Sequence, residues 1–224
     1  MLILVADTSG KQGSIALANG LNNGKCDVIE AVPLAGGTFS AQLVPEVAAL
    51  LSKHGFKKQN IDAFAVASGP GSFTGLRVGL AAIKGLAEIL GKPIATVSML
   101  EVVAIAGGMQ GRVLAFLDAG RGEAYLGRYE VSDKRATMID EGLIKLEALA
   151  LPDGDARLVT SDKSIAKTLS AKGVAVVEVA VQQSDAIARL GWKKILAGET
   201  VSPEALEANY IRRTDAEIFS KSRS

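Results

Sequence analysis

Three places in this 224-residue chain carry groups suited to handling anions or metal ions. They are Asp7-Thr8-Ser9, the run Gly69-Pro70-Gly71-Ser72-Phe73-Thr74-Gly75, and Asp118. In the second, Gly69, Gly71 and Gly75 let the backbone turn sharply and bare its amides, while Ser72 or Thr74 can cap a helix starting near residue 74. Amides at a helix N-terminus attract anions, so a phosphate site is the chemistry this run suggests. The common motifs do not match it. A Walker loop needs Gly directly before Lys-Ser/Thr, and Phe73-Thr74-Gly75-Leu76-Arg77 has no lysine. A dinucleotide loop needs glycine at position 74, and a nucleophile elbow needs glycines at 70 and 74 around Ser72.

Covalent and metal chemistry find little support. His54 is the single histidine and Cys26 the single cysteine, so there is neither a His pair nor a thiolate cluster. His54 falls near the end of an expected helix, where an imidazole meets the terminal carbonyls. A Ser-His-Asp or Cys-His peptidase would need His54 beside a serine or Cys26, yet these sit on separate elements with no supporting motif. No catalytic residue and no metal ligand set is assigned.

The elements that hold these residues follow from periodicity and punctuation. Residues 2–6, 14–18 and 26–33 read as strands of an antiparallel meander, with Asn19-Gly20 and Asn23-Gly24 in the connections. Ser40 opens a helix to about Lys53, and strand 61–67, helix 74–90, strand 94–97 and a helix from Ser98 follow. Strands at 112–117, 123–131, 137–144, 157–160 and 174–177, with helices at 162–171 and 184–196, make up the second half, which ends in a polar tail. At an offset of about 111 residues, VLAFLDAGRGEAYLG repeats the plan of ILVADTSGKQGSIALA, with Asp118 falling on Asp7. A repeat over half the chain indicates two related lobes, divided as 1–108 and 109–224. One such hairpin alone would need no more explanation than the turn chemistry of Asp and Gly.

Nearly half the residues are hydrophobic and few are aromatic, an α/β composition long enough for a substantial core. With 25 basic and 24 acidic residues, strong autonomous binding to nucleic acid is not expected, and Lys57-Lys58 and Arg212-Arg213 read as solvated charge. The apolar start reaches Asp7 too soon for a signal peptide, and no uncharged stretch is long enough to span a bilayer. A cytoplasmic protein without membrane contact is expected.

The string GPGSFTGLRVG, residues 69–79, resembles the signature of the bacterial TsaB (YeaZ) family, the noncatalytic relatives of the TsaD/Kae1 glycoprotease-like proteins. Asp7-Thr8-Ser9, residues 118–125 and Tyr210-Ile211-Arg212 are similar to the family as well. The resemblance implies a two-lobed actin/Hsp70/sugar-kinase-like (ribonuclease H-like) α/β fold, each lobe a mixed sheet with helices and the second reduced. By analogy with that superfamily, Asp7, Thr8, Gly69, Gly71, Ser72, Thr74, Gly75 and Asp118 would face a nucleotide or magnesium-phosphate unit in a cleft. No cofactor is assigned beyond such a possible nucleotide, there or at a partner interface. The metal-binding H-x-x-x-H pair of the catalytic paralogues is missing, and where the family often has His-Ser this chain has Phe39-Ser40.

The helix after the signature is charged only at Arg77, Lys84 and Glu88 between Leu76 and Leu90, so burial on more than one side is expected. Gly75, Gly79 and Ala82 give it a smooth face that a second helix can approach. That face lies either inside its own lobe or, with the stripe Leu43, Val44, Val47 and Leu51 of the preceding helix, against a partner. The resemblance implies the partner reading, with Ile83 and Leu86 in the interface, TsaD as partner and a homodimer when TsaD is absent. It further implies the ATPase TsaE, tRNA reached only through the complex, and a scaffold role in threonylcarbamoylation of adenosine 37 of tRNAs reading codons that begin with A. The alternative is an ATP-dependent phosphotransferase or ATPase of the sugar-kinase class.

Overall fold

The structure, a computed structural model, describes residues 1–133, 135–149, 155–180 and 183–212. The expected polar tail at 213–224, with Arg213, lies outside the described residues. The chain divides into two units, Met1–Val102 with Val181–Asn209, and Val103–Ala180 with Tyr210–Ser224.

The first unit is a five-stranded sheet ordered β3-β2-β1-β4-β5. Its strands are β1 (Leu2–Asp7), β2 (Gly13–Gly20), β3 (Cys26–Leu34), β4 (Ala63–Gly69) and β5 (Ile94–Ser98). The meander β1-β2-β3 is antiparallel, and β1, β4 and β5 run parallel, with helix α2 (Phe73–Leu90) as the crossover from β4 to β5. Alternation along β4, Ala-Phe-Ala-Val-Ala, sorts its side chains by size between two faces. Phe64 and Val66 join Leu4, Leu17, Ile15 and Ile94 in a core closed by α1 (Phe39–Lys53) and α2. The other face presents Ala65 and Ala95, and these small residues admit α5 (Gln183–Leu196). A Cβ at Gly191 would stand 2.4 Å from the Ala65 Cβ, so this glycine is required by helix-to-sheet packing. Trp192 is fully buried; its indole N–H donates to the Leu21 carbonyl at 3.1 Å and its ring lies over Gly20.

The second unit repeats the plan. Its sheet is ordered β10-β9-β6-β7-β8, from β6 (Gly111–Gly120), β7 (Glu123–Ser132), β8 (Arg135–Lys145), β9 (Arg157–Thr160) and β10 (Val176–Glu178). Pairings β6-β7 and β7-β8 are antiparallel, and β6-β9 and β9-β10 parallel, with α4 (Lys163–Ala171) as crossover. The strand orders match element for element, so the sequence repeat is a structural duplication. No α-helix corresponding to α1 occurs among the described residues between β8 and β9, and this makes the second unit the smaller one.

The division differs from the expected boundary at 108/109. The helix α3 (Met99–Ala106) bridges the change of unit, and α5 returns to the first unit because it packs across β1, β2, β3, β4 and β5. After α5 the chain adds Val201, bridged to Ile94, and buries Leu206 in the first core. Asn209 then donates its N–H to the Ser68 carbonyl at 2.8 Å.

Candidate functional site

The signature loop leaves β4 at Gly69, whose φ of +111° explains the glycine, and enters α2 at Phe73. Ser72 is the N-cap: its Oγ accepts from the Gly75 N–H at 3.2 Å and its carbonyl from the Leu76 N–H at 2.8 Å. The Ser72 N–H donates to the Ser9 carbonyl at 2.7 Å, which ties the loop to the turn after β1.

That turn lies deep. Asp7 is 0% exposed and Thr8 3%, and Ser9 is buried beside them. Asp7 Oδ1 accepts from the Ser9 N–H at 2.8 Å and the Ser9 hydroxyl at 2.6 Å, whereas Oδ2 is sealed without a partner. Burial pushes the Asp7 carboxyl up from its ordinary value, against the lowering effect of the two Ser9 hydrogen bonds. Thr8 Oγ1 donates to the Gly75 carbonyl at 2.7 Å. A Cβ at Gly71, Gly75 or Gly79 would stand 2.3, 2.1 or 2.2 Å from Ser9 O, Thr8 O or Thr8 Oγ1 respectively. The signature glycines make room for the turn.

Asp118 occupies the corresponding place in the second unit and makes the same local contact. Its Oδ1 accepts from the Gly120 N–H at 2.8 Å, as Asp7 Oδ1 accepts from Ser9, and its own N–H donates to Asp162 Oδ2. Asp118 is exposed where Asp7 is buried. Among the described residues no group of three His, Cys, Asp or Glu side chains is placed to hold a metal ion.

The peptidase candidates are engaged elsewhere. His54 Nε2 lies 2.7 Å from Glu30 Oε2, and Lys53 Nζ 2.6 Å from Glu30 Oε1, so the imidazole ties the end of α1 to β3. Cys26 is buried in β3, and desolvation raises its thiol to about 11, far from a thiolate at neutral pH.

The expected interface residues separate into two groups. Leu43, Val47, Leu51 and Ile83 belong to the first unit's own core, with Phe39 beside them. Gly75 and Gly79 face Thr8 rather than a second helix, so the small-residue face is filled from within the lobe. Val44, 55% exposed, points outward, and Ala82 and Leu86 are half-buried.

Beyond Val44 and the three charges of α2, the residues on the outer side of the two helices were not singled out from the sequence. On α1 the middle turns present Ala41, Val44, Pro45, Ala48, Ala49 and Ser52, with Ser40 exposed at the start and Lys53, paired with Glu30, exposed at the last residue of the helix. On α2 the outer side divides lengthwise into Arg77, Lys84 and Glu88 along one edge and Val78, Ala81, Gly85 and Ile89 along the other, with Ile89 75% exposed and Val78, Lys84 and Gly85 half-buried. The signal was available in the phase of the helix: the three charges mark the solvent side, and the uncharged residues beside them share it.

Two mixed sheets on one duplicated plan, each with an Asp-turn hairpin at its start, define a two-domain α/β protein of the actin-like class. The family model described as "TsaD: tRNA N6-adenosine threonylcarbamoyltransferase" matches residues 33–203. The tRNA threonylcarbamoyladenosine biosynthesis protein TsaB of Bacillus subtilis is 30% identical over 97% of this chain and 96% of its own length. Its Escherichia coli counterpart is 34% identical over 58% of this chain and 55% of its own. The solved structure of YeaZ from Pseudomonas aeruginosa superposes with a TM-score of 0.75 at 26% identity, over 93% of this chain and 99% of that one. This chain belongs to the TsaB (YeaZ) family.

Proposed function

We propose that this protein is a noncatalytic scaffold subunit that supports a TsaD-type transferase in placing the threonylcarbamoyl group on adenosine 37 of tRNAs reading codons that begin with A. The observation that carries the reading is the uncharged outer face of α1, continued by the apolar edge of α2, in a chain of this family. A protein seldom leaves an uncharged helix face open to solvent beside an apolar edge of its neighbour unless a partner covers both.

The partner is a TsaD-type protein, with a second copy of this chain on the same face when TsaD is absent. The ATPase TsaE joins the assembly, and threonylcarbamoyl-adenylate is handled by TsaD. The near balance of 25 basic and 24 acidic residues supports tRNA being held by the other subunits. In this role the chain contributes surface and no reacting group, in keeping with the engaged His54, the protonated Cys26 and the sealed Asp7. The cytoplasm is its place of action, and no helix of the described residues is long and apolar enough to cross a membrane.

The test is reconstitution of adenosine 37 threonylcarbamoylation from TsaD and TsaE of the same organism, with and without this chain. Modification that depends on the chain and survives Asp7→Asn and His54→Gln supports a scaffold. Modification that proceeds without the chain contradicts the reading.

A further inference from the structure

By analogy with the actin/Hsp70/sugar-kinase superfamily, the turn after the first strand, with Asp7, would hold a magnesium-phosphate unit. Whether these residues fit such a unit is decided by space and by donors. A hard cation of this kind needs about six oxygen ligands, several of them waters or phosphate oxygens that must reach it. Asp7 Oδ1 is saturated by the Ser9 amide and hydroxyl, and Oδ2 has less than a water's approach to solvent. Two further hydroxyls at the junction are committed inward, Thr8 Oγ1 to the Gly75 carbonyl and Ser72 Oγ to the Gly75 amide, while Thr74 is exposed on the first turn of α2.

Part of the loop backbone is committed as well. Ser72 and Leu76 N–H groups donate to Ser9 O and Ser72 O. Gly71, Gly75 and Gly79, the positions where a phosphate loop would approach its ligand, are filled by Ser9 O, Thr8 O and Thr8 Oγ1. At the carboxyl end of β4, Asn209 N–H closes onto the Ser68 carbonyl, and the Asn209 carbonyl oxygen stands 3.3 Å from where a Gly69 Cβ would be. In an open α/β sheet, ligands lie outside the carboxyl ends of parallel strands. Here the chain itself occupies that ground at β1 and β4.

We propose that the Asp7-Thr8-Ser9 turn is a clamp that fixes the depth and rotation of α2 on its sheet, and that it is not the first unit's half of a metal-phosphate site. The glycine spacing of the signature is thereby assigned to helix seating, independently of which partner α2 meets. Thr8 acts as a positioning residue: its hydroxyl and carbonyl enter the groove left by Gly75 and Gly79.

The test is a double-mutant cycle followed by thermal unfolding of the full chain. The nearest neighbour of a Cβ at Gly79 is Thr8 Oγ1 at 2.2 Å, and the next are Thr8 Cβ and Cγ2 at 3.4 Å. Gly79→Ala should therefore lower the melting temperature by about 4–8 °C in the wild-type background and by less than half of that in Thr8→Ala, where the clashing atom is gone. In parallel, millimolar Mg-ATP should leave the wild-type melting temperature unchanged. An equal penalty for Gly79→Ala in both backgrounds overturns the clamp. A Mg-ATP-induced rise in the wild type that Asp7→Asn abolishes overturns the exclusion of the metal-phosphate unit. If Gly79→Ala alone is insoluble, recovery of soluble protein by Thr8→Ala supports the clamp and no recovery contradicts it.

Discussion

Thr8 and Gly75 are joined by a buried hydrogen bond, Thr8 Oγ1 donating to the Gly75 carbonyl at 2.7 Å across a sequence separation of 67 residues. It links the first strand's turn to the first turn of α2. Thr8→Val keeps the shape and removes the donor, and should cost about 1–2 kcal/mol in urea unfolding, whereas Thr8→Ser should remain within about 0.5 kcal/mol of wild type. Equal stability of the Val and Ser variants would show that packing alone seats the helix.

Asp7 gives a pH signature of its own. Its carboxyl is raised in the folded chain, so between the ordinary Asp value near 3.8 and the raised value the native state binds the extra proton. The stability this contributes is fully present below the unfolded value and is lost as pH rises through the folded one. Asp7→Asn, which cannot ionise, should therefore be more stable than wild type at neutral pH, with the difference shrinking as pH falls toward 4. Melting curves of the two chains across pH 4–8 check this, and a variant less stable at pH 7 would contradict it.

Glu30 behaves in the opposite sense. Hydrogen bonds from Lys53 and then His54 hold its carboxyl below the ordinary value. Its stabilising effect is present above the unfolded Glu range and fades as pH drops through the lower folded value. Glu30→Gln should flatten the acid limb of the stability curve, and an unchanged limb would remove the cluster from the account.

Trp192 is the single tryptophan, so its emission reports the seating of α5 on the first sheet. Gly20→Ala would place a Cβ 2.5 Å from the indole, and should destabilise by about 1–3 kcal/mol with a red-shifted emission. The same cost with unchanged emission would mean that the strand yields rather than the helix.

Much of this architecture was legible in the sequence. The Asp-turn hairpins at Asp7 and Asp118 disclosed the duplication because a turn fixes a few residue types at fixed spacing, and both now show the same Asp-to-amide contact two residues on. The return of α5 to the first unit was not legible, since the small-residue face at Ala65 and Ala95 that receives it lies far away in the sequence. The spacing of Gly75 and Gly79 leaves open whether their face lies inside the lobe or against a partner, because spacing shows that a helix face is smooth without showing what rests on it. Thr8 rests on it, and the open edge of the helix lies elsewhere, at the exposed Ala81 and Ile89 with the half-buried Val78 and Gly85 beside them. A bulky residue at Gly79 would therefore damage the fold before it tested any interface.

The outer face is better probed where nothing lies beneath it. No atom stands within 4 Å of a Cβ at Gly85, so Gly85→Ala should stabilise the chain by about 0.5–1 kcal/mol through helix propensity. Ala48→Glu, on the exposed side of α1, should change stability by less than about 0.5 kcal/mol.

Light-scattering mass on a size-exclusion column tests the α1/α2 face as the docking surface most directly. The wild-type chain should run as a homodimer that exchanges into a stoichiometric heterodimer with TsaD from the same organism. Ala48→Glu should run as a folded monomer that no longer joins TsaD. A wild-type chain that stays monomeric and ignores TsaD, or an Ala48→Glu chain that binds TsaD as well as wild type, would contradict the account.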